Sequence, residues 1–292
     1  MRIIYYGYPL WDYFLSSAGG SHELIKSEPL SFRSKLALHA FWNRGFRSRL
    51  LDFADVANPA PSDEPTIVMD IYSPAQLWRI AKKCGKDAPR YLWFWNPLKP
   101  TLRFHDIHRT VALVKDMGYR IFTFDPDDAE EFGIEYKNQF GARPAERNFA
   151  PRTDLYFCGN AKGRIAVIER IGRLCRKYGL SENFVIPRKQ GIMINYSQNL
   201  ENVRNSKCVL DIVQRGQSGL TLRPIEALLN SKKLITDNAA VERYDFYDPR
   251  NIFILGKDDE SRIKEFVDSP FVEVPESVIE KYEFGNWLNS WR

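Results

Sequence analysis

Long apolar runs are missing from this chain of 292 residues, although 44% of them are hydrophobic. No stretch approaches the roughly 20 apolar residues that a membrane-spanning helix needs. The first residues imitate a secretion signal, but three tyrosines, Pro9 and Asp12 interrupt the would-be apolar core. The composition therefore predicts a globular cytoplasmic protein without a signal peptide.

The chain also has few cysteines and only a small excess of one charge. The four cysteines, Cys84, Cys158, Cys175 and Cys208, have no paired spacing and lie mostly among apolar residues. They predict buried thiols in a reducing compartment. The 42 Lys and Arg residues and 37 Asp and Glu residues leave a net charge of +5. This mild excess suits an anionic substrate or an acidic membrane surface and is too weak to indicate nucleic-acid binding.

Metal-ligand patterns are incomplete. His105 and His108 lie three apart at a predicted helix start, but no third ligand accompanies them at a suitable spacing. The segment Asp125-Pro126-Asp127 imitates an Asp-x-Asp metal motif, yet proline and further acids after a strand are typical of a capped helix start. We therefore expect no metal site and metal-independent chemistry.

The chain does contain a regular alternation of apolar strands and amphipathic helices, without internal repeats or low-complexity tracts. This alternation predicts parallel sheets. Periodicity is lost between residues 136 and 152, where Gly141, Pro144 and Pro151 accumulate. We predict an α/β protein with two Rossmann-like domains facing a cleft, residues 1–150 and 151–292.

One segment, residues 211–236, combines a strand, a glycine loop, a helix and a second strand. Gly216 and Gly219 allow backbone amides of the loop to approach a ligand. A helix begins near Thr221, with Pro224 in its first turn. At the carboxyl edge of a parallel sheet such a helix start attracts an anion such as phosphate. The alternative is that the glycines only turn the chain.

A second strand, loop and helix occupy residues 154–178. Gly159 and Gly163 flank the loop, although their spacing is not that of the dinucleotide-binding fingerprint. An apolar stripe on the helix leaves Lys162 and Arg164 at its start, where both could reach an anion. Alternatively, both cations are only solvated.

A resemblance to a known family is carried by the stretch Ser218-Gly-Leu-Thr-Leu-Arg-Pro-Ile-Glu-Ala-Leu228 and by Lys232-Lys-Leu-Ile-Thr236. These residues resemble the donor-site segment of GT-B fold glycosyltransferases, particularly the bacterial enzymes of lipopolysaccharide and capsular polysaccharide assembly. The similarity continues through Tyr244-Asp-Phe-Tyr-Asp-Pro-Arg-Asn-Ile252. The resemblance implies that Glu226 binds the nucleotide ribose. Many retaining members carry a carboxylate eight residues earlier, where this chain has Ser218, so the retaining mechanism is not carried over.

The resemblance and the two loops together predict a donor site in the second half. Its residues are Gly159, Lys162, Gly163, Arg164, Gly216, Gln217, Ser218, Gly219, Leu220, Thr221, Arg223 and Glu226. The ligand implied is a nucleotide diphosphate sugar, which is a substrate, and no cofactor is expected.

The acceptor and the catalytic base are expected in the first half, as in the resembling enzymes. Trp95 and Asn96 follow an aromatic strand and either line an acceptor site, where sugar rings stack on indole, or complete the core. Asp12 could instead cap a helix and His22 could be a surface residue. The candidate bases near loops and helix starts are Asp12, His22, Glu23, His105 and Asp106.

The function predicted is transfer of a sugar from a nucleotide diphosphate sugar to a bacterial surface polysaccharide or lipid-linked glycan. The location predicted is the cytoplasm, with peripheral contact at the inner face of the cytoplasmic membrane. Two alternatives stay open. One is a nucleotide-sugar epimerase of similar architecture, and the other is a non-catalytic nucleotide- or sugar-binding partner of a polysaccharide assembly complex, which the serine at position 218 favours.

Overall fold

The computed structural model describes residues 1–7, 9–17, 22–27, 31, 59–103, 105–144, 150–160, 163–186, 194–213 and 217–291. The chain divides into two compact units, Met1–Lys137 and Asn138–Arg292. The division falls at the start of the stretch in which the sequence loses its periodicity. The apolar periodicity of Phe32–Trp42 predicts an amphipathic helix, but this segment lies outside the described residues, as do Lys162 and Gly216 of the predicted donor site.

The first unit is built on a parallel sheet with the strand order β2-β1-β3-β4-β5-β6. Its strands are β1 Arg2–Tyr6, β2 Glu23–Ser27, β3 Thr66–Met69, β4 Arg90–Phe94, β5 Tyr119–Thr123 and β6 Glu135–Tyr136. Its described helices are α1 Pro9–Ser17, α2 Pro74–Ala81, α3 Leu98–Thr101, α4 Ile107–Asp116 and α5 Pro126–Phe132. All four residues of β3 are buried, as expected for a central strand that helices cover on both faces.

The second unit has a five-stranded parallel sheet with the order β11-β10-β9-β7-β8. The strands are β7 Thr153–Cys158, β8 Glu182–Val185, β9 Ser206–Asp211, β10 Lys233–Thr236 and β11 Ile252–Ile254. The described helices are α6 Ile165–Tyr178, α7 Tyr196–Arg204, α8 Leu222–Leu229, α9 Ile263–Asp268, α10 Glu276–Ile279 and α11 Phe284–Asn289. Short 3-10 turns lie at Ala239–Arg243, Glu260–Arg262 and Glu280–Tyr282.

Helix starts follow the local signals of the sequence. The Asp125 side chain accepts hydrogen bonds from the backbone amides of Asp127 and Asp128, which confirms the capped helix start. Thr221 caps α8 through a bond from the Arg223 amide. Such caps can be predicted because the donors they satisfy lie within three residues along the chain.

Three predicted elements needed correction or refinement. The apolar run Thr66–Tyr72 predicts a strand, but the strand ends at Met69, because Asp70 turns the chain with a left-handed φ of 59°. The sequence predicts another strand at Ile192–Tyr196, but Tyr196 instead begins α7. The aromatic C-terminal segment, residues 277–292, predicts either a closing helix packed on the domains or a membrane-facing anchor, and its described residues form short helices. Trp287 is 2% exposed and donates its indole hydrogen to the Asn138 carbonyl at 2.8 Å.

No helix within the described residues is long and apolar enough to cross a membrane. The four cysteines are free thiols. Cys175 and Cys208 are buried, as predicted, whereas Cys84 and Cys158 are only half-buried.

Candidate functional site

The predicted donor loops meet at the carboxyl edge of the second sheet. β7, β9 and β10 are parallel neighbours, so the chain leaves all three strands at the same edge. Asp211 ends β9 directly beside Thr236, the last residue of β10. The loop that follows β9 leads into α8, and the loop that follows β7 leads into α6.

Asp211 is the anchor of this edge. Its side chain is fully buried, and Oδ1 accepts hydrogen bonds from the Thr221 hydroxyl at 2.8 Å and from Nη1 of Arg223 at 2.6 Å. The Thr236 hydroxyl donates to Oδ2 at 3.0 Å. One buried carboxylate therefore fastens the start of α8 to two strands. The predicted donor residues do not include Asp211, although a lone carboxylate at the end of an apolar run is a visible signal.

Arg223 joins the two predicted loops. Its Nε donates to the Cys158 carbonyl at 3.2 Å, and its guanidinium lies 5.2 Å from the centre of the Phe157 ring. A Cβ on Gly159 would lie 3.1 Å from Nη2 of Arg223, so the glycine makes room for this side chain. Arg223 is 13% exposed in the first turn of α8. It therefore adds a cation to the positive end of the helix dipole.

Arg164 is less accessible than the sequence indicated. The residue is 7% exposed, and its guanidinium donates to the carbonyls of Ile212 at 2.7 Å and Asn160 at 2.6 Å. Burial lowers the pKa of Arg164, and the neighbouring Arg223 adds to this effect. The side chain therefore links the loop after β7 to the loop after β9 by hydrogen bonds, and it is not a free cation at the helix start. Its direct contact with a diphosphate stays a prediction.

The loop before α8 is held by the residues that follow β10. The backbone amide of Val213 donates to Asp237 at 2.9 Å, and the Asn238 side chain donates to the Ser218 carbonyl at 3.3 Å. Within the loop, the Gln217 side chain donates to the Gly219 carbonyl at 3.1 Å. These bonds order the loop residues next to the start of α8.

Two further predicted donor residues have evident structural roles. Leu220 is 1% exposed and belongs to the apolar core of the second unit. Gly163 adopts a left-handed φ of 79°, a backbone conformation that residues with a Cβ rarely take.

Glu226 is buried. It is 3% exposed, and its Oε1 accepts a hydrogen bond from the Asn199 side chain at 3.0 Å. Asn199 in turn accepts a bond from the Tyr156 hydroxyl at 2.9 Å. Burial raises the pKa of the Glu226 carboxyl. The role of Glu226 as a ribose ligand stays a prediction.

The predicted bases of the first unit do not all lie together. Asp12, on α1, is exposed and accepts from the Tyr5 hydroxyl at 3.1 Å and from Lys26 at 2.8 Å. The hydrogen bond from Lys26 is the main reason that the pKa of Asp12 is lowered. Asp106 is exposed and caps α4 by accepting from the Arg109 amide at 3.0 Å, and His105 precedes it.

His22 and Glu23 lie at the wrong end of a strand for the predicted role. Their position after the first apolar run predicts a strand-to-helix connection, but Glu23 is the first residue of β2 and pairs with Arg2, the first residue of β1. In parallel strands the first residues mark the amino edge, whereas α/β proteins bind ligands at the carboxyl edge. Their role as bases stays a prediction without support from this position.

Asp70, which the sequence reasoning missed, lies at the carboxyl edge of the first sheet, directly after β3. Its Oδ2 accepts a hydrogen bond from the Trp11 indole at 2.7 Å, and its Oδ1 accepts from the Tyr72 hydroxyl. Trp95, after β4, is partly exposed, and its ring centre lies 4.8 Å from that of Trp11. Core packing is also the role that the aromatic density of Tyr91–Trp95 predicts for Trp93, and Trp93 is fully buried. The sequence signal for Asp70 was a carboxylate directly after a buried apolar strand.

No group of three or more His, Cys, Asp or Glu side chains that could hold a metal occurs in the described part of the chain.

No protein-family model and no curated protein matches this chain. Among solved structures, an alpha-glucosyltransferase in complex with UDP and a 13-mer DNA containing a central A:G mismatch matches with a TM-score of 0.51 and 12% identity. The match covers 98% of this chain and 94% of that chain. The chain has the fold of this alpha-glucosyltransferase. At this identity the similarity concerns the fold alone, and it agrees with the predicted α/β class.

A second solved alpha-glucosyltransferase, in complex with UDP and a 13-mer DNA containing a HMU base, matches with a TM-score of 0.43 and 11% identity. That match covers 91% of this chain and 88% of that chain, and it is too weak to add to the first.

Proposed function

We propose that this protein is a glycosyltransferase whose second unit binds a nucleotide diphosphate sugar. The observation that carries the proposal is Arg223, a partly exposed cation in the first turn of α8 that lies beside the glycine of the neighbouring loop. A helix start and a guanidinium together favour a diphosphate. The fold shared with an alpha-glucosyltransferase solved with UDP supports a uridine nucleotide as the donor.

The proposed role of this edge is to stabilise the departing diphosphate. Negative charge grows on the phosphate oxygens as the bond to the sugar breaks, and fixed donors that need no reorganisation stabilise that charge. Arg223 and the backbone amides at the start of α8 would supply these donors, so the proposed reaction needs neither a metal ion nor a cofactor.

The acceptor proposed is a bacterial surface polysaccharide or a lipid-linked glycan, held by the first unit. The motif resemblance supports this acceptor class. A base of the first unit would take the proton of the acceptor hydroxyl, and transfer would occur in the cytoplasm with peripheral contact at the membrane. Asp12, His22, Glu23, His105 and Asp106 stay candidates for that base.

The test is a panel of UDP, GDP and dTDP sugars, each incubated with and without acceptors. The acceptors are polysaccharide fragments, lipid-linked saccharides and duplex DNA, and nucleotide release and sugar identity are measured. We expect nucleotide release that depends on a saccharide acceptor and is lost in Arg223→Ala but not in Arg250→Ala. A changed sugar without acceptor would instead identify an epimerase. Binding without any reaction would identify a non-catalytic partner, and glucosylated DNA would refute the acceptor class.

A further inference from the structure

Three connections of the first unit converge on one carboxylate at the carboxyl edge of its sheet. Trp11 reaches Asp70 from α1, which follows β1, and Tyr72 reaches it from the turn after β3. The Tyr72 hydroxyl in turn accepts a hydrogen bond from the Trp95 amide at 3.2 Å, just after β4. β1, β3 and β4 are neighbours in the sheet, so these bonds tie adjacent strand ends together.

The backbone at Asp70 is held in an uncommon conformation. Its φ of 59° is left-handed, and among the described residues only Ser231 is another non-glycine with a positive φ. Such outliers persist where the surrounding structure fixes them, and they are enriched at functional sites. Here the turn stops β3 and leaves Asp70, a half-buried residue, beside the aromatic rings.

The surroundings of Asp70 suit a sugar hydroxyl. A carboxylate that is already oriented by two donors can accept a further hydrogen bond, because its two oxygens offer about four acceptor positions. Trp95, also partly exposed, adds an indole beside it, and aromatic faces pack against the apolar faces of sugar rings. Burial raises the pKa of the Asp70 carboxyl, which makes its carboxylate a stronger base than an exposed one.

We propose that Asp70 accepts the hydrogen bond, and then the proton, of the acceptor hydroxyl in a saccharide subsite that Trp95 completes. This proposal rests on the proposed glycosyltransferase function. In the step, the acceptor oxygen forms a bond to the anomeric carbon of the donor sugar. The bond from that carbon to the diphosphate breaks, and its electron pair leaves with the nucleoside diphosphate. The acceptor proton passes to a carboxylate oxygen of Asp70.

The first test compares Asp70→Asn with Asp70→Gly. Asparagine keeps the volume and tolerates a left-handed backbone but cannot take the proton, and glycine tolerates the same backbone and leaves space for an added carboxylate. We expect each variant to lower kcat by about 10²–10⁴ at unchanged donor affinity. Asp70→Asn should keep the thermal midpoint close to that of the wild type, because its amide oxygen still accepts a hydrogen bond, whereas Asp70→Gly should lower it, because Trp11 and Tyr72 lose their acceptor. Formate should restore part of the turnover of Asp70→Gly alone. Asp116→Asn, an exposed carboxylate of the same unit, is the matched control and should resemble the wild type.

Two results would overturn the proposal while leaving the glycosyltransferase intact. One is turnover of Asp70→Asn within a few-fold of the wild type. The other is a loss of turnover in Asp70→Asn that comes with a lower thermal midpoint, together with no rescue of Asp70→Gly by formate, which would make Asp70 a structural residue.

A second experiment measures saccharide binding to the wild type by tryptophan fluorescence. It distinguishes a failure of the Asp70 proposal from a failure of the proposed glycosyltransferase function. One outcome is that saccharide binds, that Asp70→Asn weakens this binding, and that no sugar is transferred to any acceptor. It would refute the glycosyltransferase function and the proton transfer to Asp70 but would support the saccharide subsite. If the wild type shows neither saccharide binding nor sugar transfer, both the subsite proposal and the glycosyltransferase proposal are refuted.

Discussion

At the scale of single residues, the ion pair of Asp211 and Arg223 is the most consequential contact of the second unit. Arg223→Ala would leave a fully buried carboxylate without its cation. Breaking a buried pair in this way costs about 3–5 kcal/mol, and we expect the denaturant midpoint and the nucleotide affinity to fall together. Arg223→Lys should recover part of both, because the charge stays while the fork of donors is lost.

The matched control for this pair is Arg250→Ala. Arg250 pairs with Asp248 and is 67% exposed, so its loss should change stability by less than about 1 kcal/mol. Equal effects of the two substitutions would show that the Asp211 pair has no special role.

Substitutions of Glu226 distinguish a role in nucleotide binding from a role in folding. If Glu226 holds the ribose, Glu226→Ala should raise the donor KM while kcat changes little, because the contact is equal in the ground and transition states. Glu226→Gln should be milder, since an amide oxygen can still accept from Asn199. Steady-state kinetics of both variants is the measurement. Asn199→Ala is the control, and an identical KM effect from it would indicate that Glu226 acts through folding.

Asp128 gives the first unit a pH-dependent stability. It is 6% exposed and accepts from the Leu98 amide at 2.7 Å, and burial raises the pKa of its carboxyl to about 6. The folded state therefore binds more protons than the unfolded state between about pH 4 and pH 6, so the free energy of unfolding falls as pH rises through this range.

Asp128→Asn should remove the fall in the free energy of unfolding with rising pH, because the amide does not ionise. The variant keeps an acceptor for the Leu98 amide. We expect the variant to exceed the wild type by about 2–3 kcal/mol above pH 6 and to match it near pH 4, as measured by denaturant unfolding at several pH values. Asp127→Asn, in the same turn but exposed, is the control. A constant difference across the pH range would contradict the assignment.

At the scale of elements, the start of α8 combines a cap with the candidate site. Thr221→Ala removes the oxygen that accepts from the Arg223 amide and the hydroxyl that donates to Asp211. We expect a loss of about 1–2 kcal/mol in stability together with weaker nucleotide binding, and recovery of both in Thr221→Ser. Asn195→Ala removes the cap of α7 and should lower stability without changing nucleotide affinity, as calorimetry can show.

At the scale of the whole molecule, a donor ligand should stabilise the folded chain. A nucleoside diphosphate at 100 times its dissociation constant should add about 2.7 kcal/mol, because it binds the folded state alone. Thermal shift with UDP, GDP and dTDP measures this, and turnover should be unaffected by a chelator. No shift with any diphosphate would count against donor binding, and turnover lost in chelator and restored by Mg²⁺ or Mn²⁺ would contradict metal independence.

The sequence by itself determined the elements whose causes are local. The run Lys233–Thr236 forms β10 as predicted, and α8 begins after Thr221 with Pro224 in its first turn. Strand patterns, caps and first-turn prolines act over a few neighbouring residues, so their physics is complete within a short stretch. The alternation of such stretches was enough to predict two parallel sheets.

Only the tertiary structure decided which polar groups meet. Arg164 bonds to a carbonyl 48 residues away, and Glu226 turns toward Asn199, 27 residues earlier. Asp70 meets Trp11 across 59 residues. These pairings depend on which strands lie side by side and which helix faces pack against them, and a carboxylate or guanidinium carries no local signal of its distant partner. A buried polar group must still find such a partner, because leaving it unpaired away from water is costly.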